Sequence, residues 1–158
     1  MAVSAFDSRI FRNLFGTQEI RDIFTDEAYV RCLVEVEAAL ARAQAKTGVI
    51  PADAGKAITD AFATLALDYN RLGLDTEIVG YPILPLVSQL AAGTPGESAK
   101  YIHWGATTQD IMDDASMLQI KRGLVLVERE LQTLNRILSG LATTHRDTYV
   151  DSPPTSTQ

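Results

Sequence analysis

The strongest regularity along the chain lies toward its C-terminal end. Ile120, Leu124, Val127, Leu131, Leu134, Leu138 and Leu141 recur at alternating steps of four and three, which is the spacing of one apolar stripe on a helix. Taken from Gln109 to His145, that helix is roughly 50 Å long at 1.5 Å per residue. Each large apolar side chain left facing water forfeits about 1.5–3 kcal/mol. The stripe therefore predicts other long helices packed against it, from further subunits or from a C-terminal part beyond this chain.

Upstream, Tyr29, Leu33, Val36, Leu40 and Ala43 repeat the same steps behind Thr25-Asp26-Glu27, a cap followed by early negative charge. This helix ends at Gly48. Val49-Ile50-Pro51 stops it and starts the next, because proline disfavours helix in the residue before it and suits a first turn. A second helix is predicted from about Ala52 to Leu67 and a third from Asn70 to Val79. Gly80-Tyr81-Pro82 breaks the third. Ile83 to Leu90, with Pro85 in its first turn, reads as a short buried helix, and Ala91 to Ser98 as a loop. Residues before Thr25 read as a polar lead-in. No period-two alternation or hairpin dipeptide occurs, so the fold class is all-α.

At 158 residues and 46% hydrophobic, the chain suits one domain or a piece of something larger. The net charge of -6 speaks against a nucleic-acid surface, which needs clustered Lys and Arg. Any anionic ligand must then meet a local positive site. Cys32 is the only cysteine, excluding a disulfide within one chain and a cysteine-based zinc site. Met1 to Gly16 lacks the apolar core of a signal peptide, and no stretch approaches the roughly 18 apolar residues of a spanning helix. A cytoplasmic protein without membrane contact is expected.

The candidate chemistry is concentrated in Tyr101-Ile102-His103-Trp104-Gly105-Ala106-Thr107-Thr108-Gln109-Asp110-Ile111-Met112-Asp113-Asp114, just before the long stripe. Gly105 permits a tight backbone approach, and Thr107 or Thr108 can cap the helix that follows. Unpaired N–H groups and the positive end of the helix dipole then attract carboxylate or phosphate even on an acidic protein. Gln109 adds an amide donor, and His103 can give a hydrogen bond or a proton near neutral pH. The plainer alternative is a Thr108–Asp110 cap beside a packed His103-Trp104 corner. That alternative explains less, since a cap alone needs neither the glycine, the second hydroxyl nor the amide.

His103 to Asp113 resembles the first signature region of the fumarase/aspartase superfamily, and most closely its 3-carboxy-cis,cis-muconate cycloisomerase branch, which reads HWGATSQD. Val34 to Ala41, Gly48 to Pro51 and Gly80 to Val87 resemble the same branch, so the likeness runs from about Phe11 to Thr148. It implies an N-terminal helical domain (1–105), the first long helix of a central bundle (106–147) and an atypical tail (148–158). It further implies chemistry at a carbon beside a carboxylate, with no metal or organic cofactor, in a homotetramer whose active sites combine three subunits. In the branch, a carboxylate of 3-carboxymuconate closes on its own double bond to give a lactone in protocatechuate degradation. Carried over by motif, Trp104, Thr107, Thr108 and Gln109 bind the polycarboxylate substrate and His103 is the candidate catalytic residue.

Departures from the pattern matter. Family members run to several hundred residues and carry a second signature of RTHxQ type and a third on a mobile loop, which supply the acid/base histidine and serine. Neither occurs here. After His145-Arg146-Asp147-Thr148 the chain turns to a Pro/Ser/Thr-rich tail that predicts disorder, so the fragment is expected to be inactive alone. Adenylosuccinate lyases usually have a histidine where Tyr81 to Val87 stand, and this chain has none. An adenylosuccinate, argininosuccinate or other fumarate-releasing lyase remains the alternative within the class, and a non-catalytic helical self-association module the alternative outside it. His145 is read as a helix C-terminal partner, Asp114 as a dipole partner, Arg12 as an exposed base, Met112 and Met117 as packing, and Glu128-Arg129-Glu130 as a solvated face.

Overall fold

The computed structural model describes residues 4–6 and 8–149, and every regular element among them is helical. In chain order these are α1 (Gln18–Ile23), α2 (Asp26–Thr47), α3 (Ala52–Thr64), α4 (Tyr69–Val79), α5 (Ile83–Gly93) and α6 (Thr108–Thr144). Short 3-10 turns form at Arg12–Leu14 and Gly96–Tyr101. The all-α expectation holds, as do the breaks at Gly48 and Gly80. The chain divides into two compact units, Met1–Arg122 and Gly123–Gln158.

Local chemistry accounts for most boundaries. Thr25 Oγ1 accepts from the Ala28 amide at 3.1 Å and caps α2. At its other end Gly48 turns left-handed, and the Gln44 carbonyl accepts from the amides of Val49 and Ile50. Pro51 stands just before α3 and Pro85 within the first turn of α5, where a missing N–H costs nothing. Three expectations need correction. The lead-in contains α1, whose cap is Thr17 Oγ1 accepting from Ile20; six residues are too few for a periodic signal to register. The predicted loop from Ala91 to Ser98 is largely helical, since α5 runs on to Gly93 and a 3-10 turn begins at Gly96. Finally, α3 stops at Thr64 rather than near Leu67.

The core of the first unit is built around α2, which packs on α1 and α3. Its buried face comprises Ala28, Val30, Cys32, Leu33, Glu37, Ala38 and Ala41, rotated from the predicted stripe so that Leu33 is shared while Ala43 is exposed. Ile58 of α3, Ile83, Leu86 and Leu90 of α5 and Ile111 and Ala115 of α6 complete the cluster. The first turns of α6 are further tied by Gln119 Nε2 donating to the Ile23 carbonyl at 2.7 Å. Arg122 donates to Cys32 Sγ at 3.0 Å and pairs with Glu35 at 2.6 Å. Met112 packs partly against the core as expected, whereas Met117 is exposed.

In the second unit, the α6 residues Leu124, Val127, Leu131, Leu134, Leu138 and Leu141 are each between 46% and 60% exposed. The predicted stripe is thus real and uncovered within the described residues. Glu128-Arg129-Glu130 is solvated, as read from the sequence. The tail beyond Tyr149 lies outside the described residues.

Helices α2 and α3 approach most closely at Gly55, where an added Cβ would collide with Ala45 Cβ and lie 3.0 Å from the Ala41 carbonyl oxygen. Gly55→Ala is expected to destabilise the chain by about 1–3 kcal/mol. By contrast Gly73, in α4 with open space around it, is expected to gain about 0.5–1 kcal/mol on replacement by Ala. Urea unfolding of the two variants beside the parent checks both signs.

Candidate active site at the start of the long helix

Residues Ile102 to Thr107 join the 3-10 turn to α6, and α2 holds this junction at two points. Glu37 and Gln44 lie two helical turns apart on α2 and so share a face. Glu37 Oε1 is 2.6 Å from His103 Nδ1, and Gln44 Nε2 donates to the Trp104 carbonyl at 2.6 Å. Ile102 is buried in the core beside them. The clamp sustains an unusual backbone, since His103 has positive φ, at 58°, alone among the described non-glycine residues. Such a conformation costs about 1–3 kcal/mol and persists only when its surroundings impose it. Gly105 makes a second left-handed turn, φ 70°, which turns the chain into α6.

The pair Glu37–His103 is the electrostatic centre of the junction. The Glu37 side chain is 1% exposed and that of His103 20%. Burial pushes the Glu37 carboxyl above its ordinary value, and the hydrogen bond and charge of His103 pull part of the way back. Its second oxygen, Oε2, is buried without a partner.

At the helix start, Thr107 caps α6 in a reciprocal arrangement. The Thr107 amide and hydroxyl donate to Asp110 Oδ2 at 2.9 and 3.0 Å, while Thr107 Oγ1 accepts from the Asp110 amide at 3.4 Å. These bonds, the amide's first, hold the Asp110 carboxyl below its usual range. The capping hydroxyl is that of Thr107, one residue before the Thr108–Asp110 alternative, because α6 already begins at Thr108. Gln109 Nε2 donates to Asp113 at 2.5 Å. Thr108 is half-buried, and its hydroxyl makes no hydrogen bond among the described residues. Trp104 is 49% exposed, its ring edge-on to Tyr101 at 5.8 Å.

His103, Trp104, Thr107, Thr108 and Gln109 are therefore gathered at one loop–helix junction. A cleft of about 1000 Å³ opens beside it between α2 and α6, but none of those residues lines it. Its acids, Glu35, Asp110, Asp113 and Asp114, outnumber Arg42 and Lys121, which suits a polycarboxylate poorly. His145 sits elsewhere, exposed, with Nδ1 3.3 Å from Thr148 Oγ1. Glu37 and Gln44 were not among the sequence candidates. A signal for Glu37 exists: with Leu33 and Ala41 it falls on one line of α2 at steps of four, an acid inside an apolar stripe.

The all-helical fold matches the N-terminal region of a fumarate lyase. A family profile described as "Lyase" matches residues 15–152, and the chain belongs to that family, the fumarase/aspartase superfamily. It is 38% identical to 3-carboxy-cis,cis-muconate cycloisomerase of Acinetobacter baylyi, covering 88% of this chain and 32% of the relative. It is equally 38% identical to adenylosuccinate lyase of Pyrococcus abyssi, covering 94% and 32%. The crystal structure of a fumarate lyase from Mesorhizobium sp. BNC1 superposes with a TM-score of 0.85 at 49% identity, over 91% of this chain and 34% of that one. The chain spans about a third of the length of these relatives. No helix among the described residues is long and apolar enough to cross a membrane.

Thr107→Ala is expected to cost about 0.5–2 kcal/mol through loss of the cap. Asp110 has a depressed folded pKa, so its contribution is present above the unfolded value and is lost as pH falls through the folded one. The difference in stability between parent and Asp110→Asn should accordingly begin to shrink as pH falls below about 3.8, the ordinary carboxyl value, and be lost only below the depressed folded one. Thermal unfolding at neutral and acid pH measures both.

Proposed function

We propose that the chain is the N-terminal portion of a 3-carboxy-cis,cis-muconate cycloisomerase-like enzyme. The observation carrying this reading is the junction itself: an unengaged Thr108 hydroxyl in the first turn of α6, next to His103 and Gln109. A helix start of this kind offers N–H and O–H donors to a carboxylate without any basic surface, as a chain of net charge -6 requires. The intramolecular reaction forms one C–O bond between a substrate carboxylate and its own alkene carbon, and a proton is delivered to the adjacent carbon. This segment binds and orients. The acid/base groups come from regions beyond it, so the chain alone is inactive.

Thr108 is the principal carboxylate ligand, because the Thr107 hydroxyl is committed to Asp110 and the Gln109 amide to Asp113. Trp104 forms an apolar wall, and Gln109 binds once its amide is released from Asp113. The exposed stripe on α6 joins a homotetrameric bundle with neighbouring copies in the cytoplasm.

Three experiments test this reading. A polypeptide completed to the length of its relatives should convert 3-carboxymuconate to the lactone, while the 158-residue chain does not; fumarate release from adenylosuccinate instead would move the protein to the lyase alternative. In the completed enzyme Thr108→Val should raise KM about tenfold to a hundredfold, the worth of one hydrogen bond to a charged group, and an unchanged KM would remove Thr108 from the site. Sedimentation equilibrium of the chain should show association that Leu131→Glu with Leu138→Glu abolishes. A folded, strictly monomeric parent would remove the bundle assignment.

A further inference from the structure

A buried carboxylate is stable when several donors surround it. Glu37 draws its donors from one residue: His103 Nδ1 lies 2.6 Å from Oε1 and the His103 backbone amide also acts on the carboxyl, while Oε2 is enclosed with no hydrogen-bond partner. The charges that act on Glu37 are those of His103 alone, with no Lys or Arg among them. His103 Nε2, by contrast, carries no hydrogen bond among the described residues and is not among the enclosed atoms that lack one. The ring thus presents one nitrogen to a buried acid and leaves the other open.

Three protonation states compete. A carboxylate facing a neutral ring protonated only at Nδ1 leaves a net negative charge in the core with one oxygen unsatisfied, the costly case. The other two each hold one proton more. Either Glu37 is a carboxylic acid donating to Nδ1, or the ring is an imidazolium opposite the carboxylate. Both remove the net buried charge, and both leave Nε2 protonated. Asp110, the exposed carboxylate on α6 whose titration also responds to His103, adds negative potential that favours the extra proton. We infer that Glu37 is a positioning residue that keeps His103 a hydrogen-bond donor at Nε2, so that the pair offers an N–H rather than a bare lone pair to a ligand carboxylate.

This assignment rests on the proposed reading only in placing His103 beside the carboxylate site. It gives His103 a binding part, that of a second donor next to Thr108, and leaves proton abstraction to groups elsewhere. It also accounts for the strained backbone at His103, since a relaxed φ would carry the ring away from Glu37.

Long-range ¹H–¹⁵N correlation spectra of the ¹⁵N-labelled 158-residue chain test it directly. The chain has two histidines, and His145→Gln identifies the His103 signals. Near neutral pH, Nε2 of His103 should carry the proton, with the Nε2–H form in at least about tenfold excess over the form protonated only at Nδ1. A bare Nε2 with the proton on Nδ1 at neutral pH would overturn the inference. In Glu37→Leu the ring should lose this preference and show mixed tautomers; a folded variant with the parental pattern would overturn it equally. Should that variant fail to fold, the parent spectrum still decides. Because no turnover is measured, failure of the cycloisomerase reading and failure of this one are separable.

Discussion

The grip of α2 on the turn before α6 is the interaction on which the site depends. The six-residue connection Ile102 to Thr107 lies between regular elements and includes two left-handed residues, His103 and Gly105, so regular backbone hydrogen bonding does little to hold it. Its conformation comes from outside, through Glu37 on His103, Gln44 on the Trp104 carbonyl and the burial of Ile102. The two α2 side chains are spaced by two helical turns, so the rigidity of a 22-residue helix is transferred to the loop. Its backbone strain is affordable because the same helix is locked into the core along its other positions.

Much of this was legible in the sequence, for physical reasons that also mark where legibility ended. Periodicity located α2 and α6, each long enough for the 3.6-residue repeat to register, and the Gly80-Tyr81-Pro82 break bounded α4. The signature turn was visible because His, Trp, Gly, two hydroxyls and an amide seldom fall together by the needs of a cap alone. What was missed is carried by single polar residues. Short α1 depends on the Thr17 hydroxyl and on Gln119, a residue 96 positions away that bonds the Ile23 carbonyl. Glu37 was not singled out, although it lies inside the family-like segment Val34 to Ala41. Only its alignment with Leu33 and Ala41 distinguishes it.

The helix start and its own acids set the affinity problem that a ligand has to solve. Asp110 and Asp113 occupy the Thr107 hydroxyl and the Gln109 amide, so a carboxylate arriving at these donors exchanges one anion for another and gains little. Thr108 involves no such exchange. The asymmetry explains why residues adjacent in one motif need not contribute equally to binding, although the motif alone treats them as equivalent.

The same α6 carries two unsatisfied demands of different kinds. Its first turn has polar groups that water satisfies until a ligand displaces it, at a modest free-energy difference per bond. Its later turns have leucines about half exposed, whose burial is worth more and is indifferent to the ligand's charge. The association proposed for the stripe would therefore not wait on ligand binding, whereas the proposed carboxylate site, walled by one chain, would remain open to water, in which its hydrogen bonds are weakest. On the proposed reading, a site of this class gains strength when further helices exclude that water.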